Sequence, residues 1–214
     1  MNKLLRFFVC CFVLGVAAHA LDKPAVAKQK YDALKARVLA GDATVDWREL
    51  RLAAEVGGVD GDFDWRDANK KAMAAYDKKD YAQMLKSASE ITEHNIANPD
   101  GHFAAMVAYK YLEKPEEQAK EKGFVDAILK SILTSGDGKS AATAYFTVAT
   151  SEEYFVLKII GYRPKGQALV QRDGHAYDRM TVSDDDGKEH ELWFNTDTDM
   201  QMMEDALGGG KNKK

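Results

Sequence analysis

The residue best suited to acid–base chemistry in an otherwise apolar setting is Asp178. It lies in a segment whose apolar residues, among them Met180 and Val182, alternate with polar ones, which predicts a strand with Asp178 on its buried face. A carboxylate on such a face needs ionic or hydrogen-bonding partners, or its pKa must rise. We favour a structural acceptor of hydrogen bonds from the backbone or an arginine, and we keep the acid of a pocket as the alternative.

The pair Glu152-Glu153 is the second candidate for acid–base chemistry. Both residues fall in the first turn of a predicted helix, where the helix dipole favours acidic side chains. Thr150 and Glu153 also have the spacing of a capping box, in which each side chain bonds the other residue's backbone N–H. Local capping is the interpretation that we favour.

The alternative for these acids is a small hydrolase or ligand-binding enzyme. Glu153 and Asp178 would then be the acid–base candidates, in an acidic pocket between the two halves of the chain. Tyr154 and Tyr177 would contact the ligand there.

Two further patterns invite a site but are incomplete. Gly138-Lys139-Ser140 matches the end of a phosphate-binding loop, but the glycine required five residues before Gly138 is replaced by Leu133. We therefore favour a tight turn between a helix and a strand. His94 and His102 flank a predicted turn and could ligate zinc, but the sequence has no HxxxH or HxH pair, so we favour ordinary hydrogen-bonded histidines and expect no cofactor.

The start of the chain predicts export. Lys3 and Arg6 accompany an apolar stretch over residues 4–18, and Ala18-His19-Ala20 has the small residues of a signal-peptidase site. We expect residues 1–20 to be a signal peptide and the protein to be periplasmic or secreted. Both cysteines lie in this segment, which excludes disulfides and thiolate sites from the rest of the sequence.

Charge and hydropathy exclude two classes of partner. The net charge is −4 and the basic residues do not cluster, so we expect no nucleic-acid binding. Beyond residue 20 the sequence has no second long apolar run, so we expect no membrane span.

The elements that must position these side chains fall into two groups. Helical periodicity occupies the first part of the chain, and alternation with strong turn signals occupies the second. The predicted helices cover residues 24–40, a segment from Asp46 to Gly57, 65–78, 81–97, 102–112 and 116–133. The second part is predicted to contain a strand near 144–149, a buried helix over 151–160, strands over 167–172, 175–183 and 188–195, and a short helix over 197–207.

The predicted fold is therefore α+β. Residues 21–134 form a helical repeat-like region, residues 135–207 form a small α+β unit packed on it, and residues 208–214 form a flexible basic tail. The α+β unit is an antiparallel β-meander with one buried helix.

A weak repeat suggests the architecture of the helical region. The pattern Ala-x-x-Ala-Tyr occurs at Ala72 and again at Ala105, an interval close to the roughly 34 residues of a tetratricopeptide repeat. We predict tetratricopeptide-like helical hairpins, whose concave faces commonly bind peptides. The favoured function is thus an exported binding or protein-interaction protein without catalytic activity, whose partner is another envelope protein or a peptide.

The second half of the chain also resembles a known family. The resemblance rests on the runs SGDGKS, TAYFTVATSEEYFVLKIIGY, QALV, AYDRMTV and LWFNTD, and on an HxxAxxAY element that reads here as His102, Ala105, Ala108 and Tyr109. These residues resemble the bacterial domain of unknown function family 4919. The resemblance implies no established activity. It places Asp137, Glu152, Glu153, Tyr154, Gln167, Tyr177 and Asp178 in the most recognisable part of the family. The candidate ligand-binding residues are accordingly Tyr154, Gln167, Tyr177, Asp137 and Lys139.

Overall fold

The computed structural model describes residues 22–208. The predicted signal peptide and the last six residues of the predicted basic tail lie outside the described residues. The helices are α1 (Pro24–Leu39), α2 (Trp47–Val56), α3 (Trp65–Asp77), α4 (Tyr81–His94), α5 (Pro99–Tyr111), α6 (Pro115–Leu133), α7 (Thr150–Ile160) and α8 (Asp197–Gly208). The strands are β1 (Tyr145–Phe146), β2 (Arg163–Arg172), β3 (His175–Ser183) and β4 (Glu189–Asn195). The predicted α+β class is confirmed.

Helices α1 to α6 form the helical half of the molecule. They pack as successive hairpins, α1 on α2, α3 on α4 and α5 on α6, and α4 also packs on α5. Alanines of the predicted repeat lie at these contacts, since Ala72, Ala105 and Ala108 are all buried in one cluster. Their small side chains allow the helices to approach closely, so the predicted hairpins are confirmed.

The start of α5 differs from its prediction. The sequence predicts a helix over 102–112, but Pro99 is the first residue of α5. A proline is well suited to this position because the first helical N–H needs no partner within the helix. The side chain of Asn98 caps the helix by accepting hydrogen bonds from the N–H groups of Asp100 and Gly101.

The sheet half, formed by β1 to β4 with α7 and α8, contains the predicted meander. Strands β2, β3 and β4 are antiparallel neighbours, and the β2–β3 turn places Asp173 and Gly174 at positive φ, as a two-residue hairpin requires. The sheet order is β1-β4-β3-β2, and β1 pairs with β4 in parallel, which makes the sheet mixed. The strand predicted over 144–149 shrinks to two residues because the N–H groups of Val148 and Thr150 donate to carboxylates and not to a strand.

The two halves share one apolar core. It combines residues of α6, such as Ile128 and Ile132, with Phe155 of α7 and with Met180 and Phe194 of the sheet. All five side chains are almost fully buried. Helix α7 therefore lies between the helical half and the sheet, as its apolar sequence predicts. None of the helices within residues 22–208 is both long enough and apolar enough to cross a membrane.

Candidate functional site

The two predicted acid–base candidates lie together in the interior. Glu153 is fully buried in the first turn of α7, and Asp178 is 6 % exposed on the inward face of β3. Burial raises the pKa of Glu153 to about 9, and the carboxylates of Asp178 and Asp199 add to the shift. Glu153 is therefore protonated at neutral pH.

Glu153 has an unusual environment for a buried acid. Neither of its carboxyl oxygens accepts a hydrogen bond from a donor within residues 22–208. The carboxyl group of Asp178 is near enough to contribute to the raised pKa of Glu153. Protonation of Glu153 keeps a second negative charge from being buried beside Asp178.

A chain of hydrogen bonds connects this pair to the surface. The side-chain amide of Gln167 on β2 donates to Asp178, and its oxygen accepts from the hydroxyl of Tyr154 at 2.9 Å. Gln167 pairs in register with Met180, so it is a diagonal neighbour of Asp178 across the strands. Tyr154 is 44 % exposed. The structure thus brings together four predicted site residues, with Gln167 in the position that was expected to hold a backbone donor or an arginine.

The capping box predicted for Thr150 and Glu153 does not form, although Glu152 and Glu153 do lie in the first turn of α7 as predicted. The N-cap residue of α7 is Ala149, which offers no capping side chain, and Thr150 donates through both its N–H and its hydroxyl to Asp199 of α8. Glu152 instead forms a buried ion pair with Arg51 of α2. Its carboxylate also accepts from the N–H of Val148 at 2.9 Å.

Two further acids lie near Glu152. The pKa of Glu55, one turn beyond Arg51 along α2, rises to about 7, mainly through burial and then through the charges of Asp199 and Glu152. Burial likewise raises the pKa of Asp199. Within residues 22–208, no group of histidine, aspartate and glutamate side chains is arranged to hold a metal ion.

The acid pair does not open into either of the two best-formed cavities. The larger cavity has a volume of about 710 Å³ and lies between α2, residues 135–146, the end of the β2–β3 hairpin and α8. We call it the interhalf cleft. Its lining includes Arg48, Leu52, Phe146, His175, Tyr177, Asn195, Asp197, Met200 and Glu204. The smaller cavity, of about 260 Å³, lies between α3, α5 and α7, and Tyr154 is among its lining residues.

One wall of the interhalf cleft carries a histidine–aspartate pair. Asp197 Oδ2 lies 2.6 Å from His175 Nδ1, and Asp197 also accepts from the N–H of Ala176 and the amide of Asn195. Although burial opposes the effect, these donors lower the pKa of Asp197. Its negative charge is therefore well compensated within the wall of the cleft.

Tyr177 lies in this cleft and not with the acid pair. It is on the face of β3 opposite Asp178, and its ring packs edge-on against Trp193 at 6.2 Å. The prediction that Tyr154 and Tyr177 contact one ligand is therefore wrong. Successive residues of a strand point to opposite faces, which separates Tyr177 from its neighbour Asp178.

The opposite wall carries a positive charge. The guanidinium of Arg48, in the first turn of α2, lies 3.9 Å from the centre of the Phe146 ring. Partial burial and the charge of Arg51 lower the pKa of Arg48. Its side chain forms no ion pair with any acid within residues 22–208.

The remaining candidate residues, Asp137 and Lys139, form contacts within their own turn. Asp137 accepts a hydrogen bond from the N–H of Lys139 in an exposed turn, and the N–H groups of Asp137 and Gly138 both donate to Thr143. This is the tight turn favoured from the sequence. Neither residue lines either of the two cavities.

The two histidines proposed as zinc ligands are also occupied. Both ring nitrogens of His102 contact acceptors, the carboxylate of Glu121 at 2.6 Å and the carbonyl of Ile96 at 2.8 Å. The ring of His94 stacks on Phe63 at 4.0 Å. His102 therefore has the hydrogen bonds that the favoured interpretation predicted, whereas the contact of His94 is an aromatic stack.

Comparison with known families decides the relationship of the chain. The family model for Domain of unknown function (DUF4919) matches residues 64–204. The chain belongs to the DUF4919 family. The DUF4919 match runs from the N-cap of α3 into α8, so it contains the acid pair and most of the cleft but not α1 and α2, which supply Arg48 and Arg51. No curated protein and no solved structure matches the chain.

Sequence reasoning missed three residues of the buried acid cluster and the interhalf cleft. Arg51 follows Leu50 on the apolar stripe of α2, and a charged residue in that position was a signal that it pairs with a buried acid. His175 and Asp197 lie at a hairpin turn and a helix start, 22 residues apart. The antiparallel pairing of β3 with β4, which places the start of β3 beside the end of β4, brings them together.

Proposed function

We propose that this DUF4919 protein is an exported binding protein that holds a small molecule or a short peptide segment in the interhalf cleft. The observation that carries the proposal is the cleft itself. Its volume of about 710 Å³ lies within the roughly 300–1,000 Å³ of typical ligand sites.

The composition of the cleft supports this role. Leu52, Phe146 and Met200 offer apolar surface, while Asn195 and His175 offer polar groups at defined positions. Ligand sites typically combine a mostly apolar lining with a few such polar groups. Both halves of the molecule contribute, which is a common location for a binding site.

Catalysis by the acid pair has less support. Glu153 is fully buried and Asp178 nearly so, and neither residue lines either cavity. The raised pKa of Glu153, which keeps it neutral, is consistent with a structural role in the core. We therefore place the ligand in the cleft and assign no reaction to the acids.

A library screen tests the binding role. Purified protein is screened by thermal shift against small metabolites and short peptides, because a ligand that binds only the folded state raises the melting temperature. Affinities of the hits are then measured by calorimetry for Ala142→Trp, which fills the cleft from an exposed lining residue. Ala119→Trp, at an exposed position of α6 outside the lining, is the matched control.

The two variants should differ. We expect Ala142→Trp to abolish binding and Ala119→Trp to leave it unchanged. Ligands that bind Ala142→Trp as tightly as the unmodified protein would place the site elsewhere and refute the proposal.

The proposal of export rests on residues 1–20 alone. Fractionation of producing cells, with N-terminal sequencing of the protein, tests it. We expect the protein outside the cytoplasm with a new N-terminus at Leu21. Retention of Met1 on protein found in the cytoplasm would contradict export.

A further inference from the structure

The guanidinium of Arg48 faces the interhalf cleft without an anionic partner from the described part of the chain. Its guanidinium carbon lies 3.9 Å from the centre of the Phe146 ring. Arg51, three residues further along α2, differs in this respect, because its charge is matched by Glu152. The sequence thus places one compensated and one uncompensated arginine on the same short helix.

Arg48 is held in a defined position. The backbone N–H of Arg48 donates to the side chain of Asp46, the N-cap residue of α2, at 2.9 Å. The guanidinium carbon lies over the Phe146 ring, and this cation–π contact leaves the N–H donors of Arg48 without an anionic acceptor in an ion pair. A guanidinium restrained by such a contact loses less conformational entropy when it binds an anion.

The other charges of the lining define which anion fits. Asp197 is compensated by donors from His175, Asn195 and the backbone, so it repels an incoming anion only weakly. Glu204 of α8 is exposed and belongs to the same lining. Its charge disfavours a doubly charged group more than a singly charged one.

We propose that the ligand of the interhalf cleft carries a single carboxylate that binds the two-pronged guanidinium of Arg48. This inference rests on the proposed binding function of the cleft. Carboxylate oxygens match the spacing of guanidinium N–H donors and form two parallel hydrogen bonds with them. The side chains of Tyr177 and Leu52, in the same lining, then contact the body of the ligand.

Matched acids and amides test the inference. The probes are N-acetyl amino acids and their C-terminal amides, together with hexapeptides that end in a free carboxylate or an amide. The first set represents a free small acid and the second a chain terminus, so the tighter set identifies the source of the carboxylate. Inorganic phosphate is the probe for a doubly charged anion. Binding is measured by calorimetry on the full chain.

Three variants complete the experiment. Arg48→Gln removes the charge, and Arg48→Lys keeps the charge but lacks the paired N–H donors of the guanidinium. Arg66→Gln is the matched control, since Arg66 also lies over an aromatic ring, that of Trp65 at 4.8 Å, but outside the cleft. Melting temperatures verify that each variant is folded.

The expected pattern is specific. The free acids should bind about tenfold or more tightly than the amides, because hydrogen bonds between charged groups are about twice as strong as neutral ones. Arg48→Gln should abolish this preference, Arg48→Lys should reduce it, and Arg66→Gln should preserve it. Phosphate should bind more weakly than the acids.

Other results overturn the inference. Amides that bind as tightly as acids, a preference that survives in Arg48→Gln, or a failure of every carboxylate probe to bind would each do so. The proposed function is judged separately. If acids and amides bind equally and Ala142→Trp abolishes both, the cleft remains the binding site and only the role of Arg48 is wrong.

Discussion

The guanidinium of Arg51 on α2 is paired with the carboxylate of Glu152 on α7, and the two side chains are only 0 % and 5 % exposed. The residues are 101 positions apart in sequence, so their contact joins the helical half to the sheet half. Ser131 of α6 adds a hydrogen bond from Arg51 Nε at 3.0 Å. The ion pair thus fixes the mutual positions of α2, α6 and α7, on which one wall of the cleft depends.

Removal of Arg51 should be strongly destabilising. Arg51→Met leaves Glu152 buried without its counterion, and we expect the free energy of unfolding in urea to fall by about 3–5 kcal/mol. The double variant Arg51→Met, Glu152→Gln should recover part of this loss, since no charge remains buried. The control is Lys28→Met, which breaks the exposed pair with Asp32 and should change stability by less than about 1 kcal/mol. If Arg51→Met and Lys28→Met lower the free energy of unfolding equally, Arg51→Met does not leave an uncompensated buried charge on Glu152.

Glu153 should make the protein less stable as the pH rises. Its pKa is about 9 in the folded protein against 4.5 ordinarily, so between these values the folded state holds a proton that the unfolded state has released. The slope of the unfolding free energy is then negative, up to about 1.4 kcal/mol per pH unit for one group. Relative to the unmodified protein, Glu153→Gln should become progressively more stable from pH 5 to pH 8. The measurement is urea unfolding of both proteins across this range, and a constant difference would contradict the raised pKa of Glu153.

Glu55 should also make the protein less stable as the pH rises, but over a narrower pH range. Its pKa rises to about 7, so the corresponding loss of stability begins near pH 4.5 and is complete near pH 7. Glu55→Gln should therefore gain relative stability between pH 5 and pH 7 and no more between pH 7.5 and pH 8.5. A relative gain that continues above pH 8 would show that another group titrates in its place.

The charge of Asp178 should hold the proton on Glu153. Asp178→Asn removes a neighbouring negative charge, while its amide oxygen can still accept from Gln167, so the pKa of Glu153 should fall but stay above 4.5 because burial remains. Carbon-13 NMR titration of the Glu153 carboxyl measures this. Asp185→Asn is the control, because the Asp185 side chain is 80 % exposed and remote in sequence from the pair. If Glu153 titrates identically in Asp178→Asn and in the unmodified protein, the charge of Asp178 does not contribute to the raised pKa of Glu153.

Local patterns predicted the elements and one key position. Alternation around Asp178 correctly placed it on the buried face, since a strand's periodicity directly encodes its two faces. The prediction of a capping box at Thr150 and Glu153 was wrong because the partner of Thr150 is not local. A capping pattern describes only what local partners can do, and here Asp199, from a distant helix, takes the hydrogen bonds of Thr150.

Contacts between distant segments could not be predicted. The parallel pairing of β1 with β4 joins Tyr145 to Phe194, and no turn or periodicity specifies it. The cleft has the same origin, because Arg48 and His175 line it from opposite halves of the chain. The sequence therefore indicated that Asp178 was buried but not which cavity a ligand could enter.

Two helical glycines should respond oppositely to alanine. A Cβ at Gly101 of α5 would lie 2.8 Å from Ile91 Cγ2 and 2.9 Å from Thr92 Cγ2, so α4 and α5 would have to move apart. Overpacking of this kind typically costs about 1–3 kcal/mol, and we expect Gly101→Ala to lower the unfolding free energy by about that amount. A Cβ at Gly123 of α6 meets no atom within 4 Å, so Gly123→Ala should stabilise the protein by about 0.5–1 kcal/mol through helix propensity. Urea unfolding of both variants decides the matter. Stabilisation by both would mean that α4 and α5 tolerate a wider separation than their close packing implies.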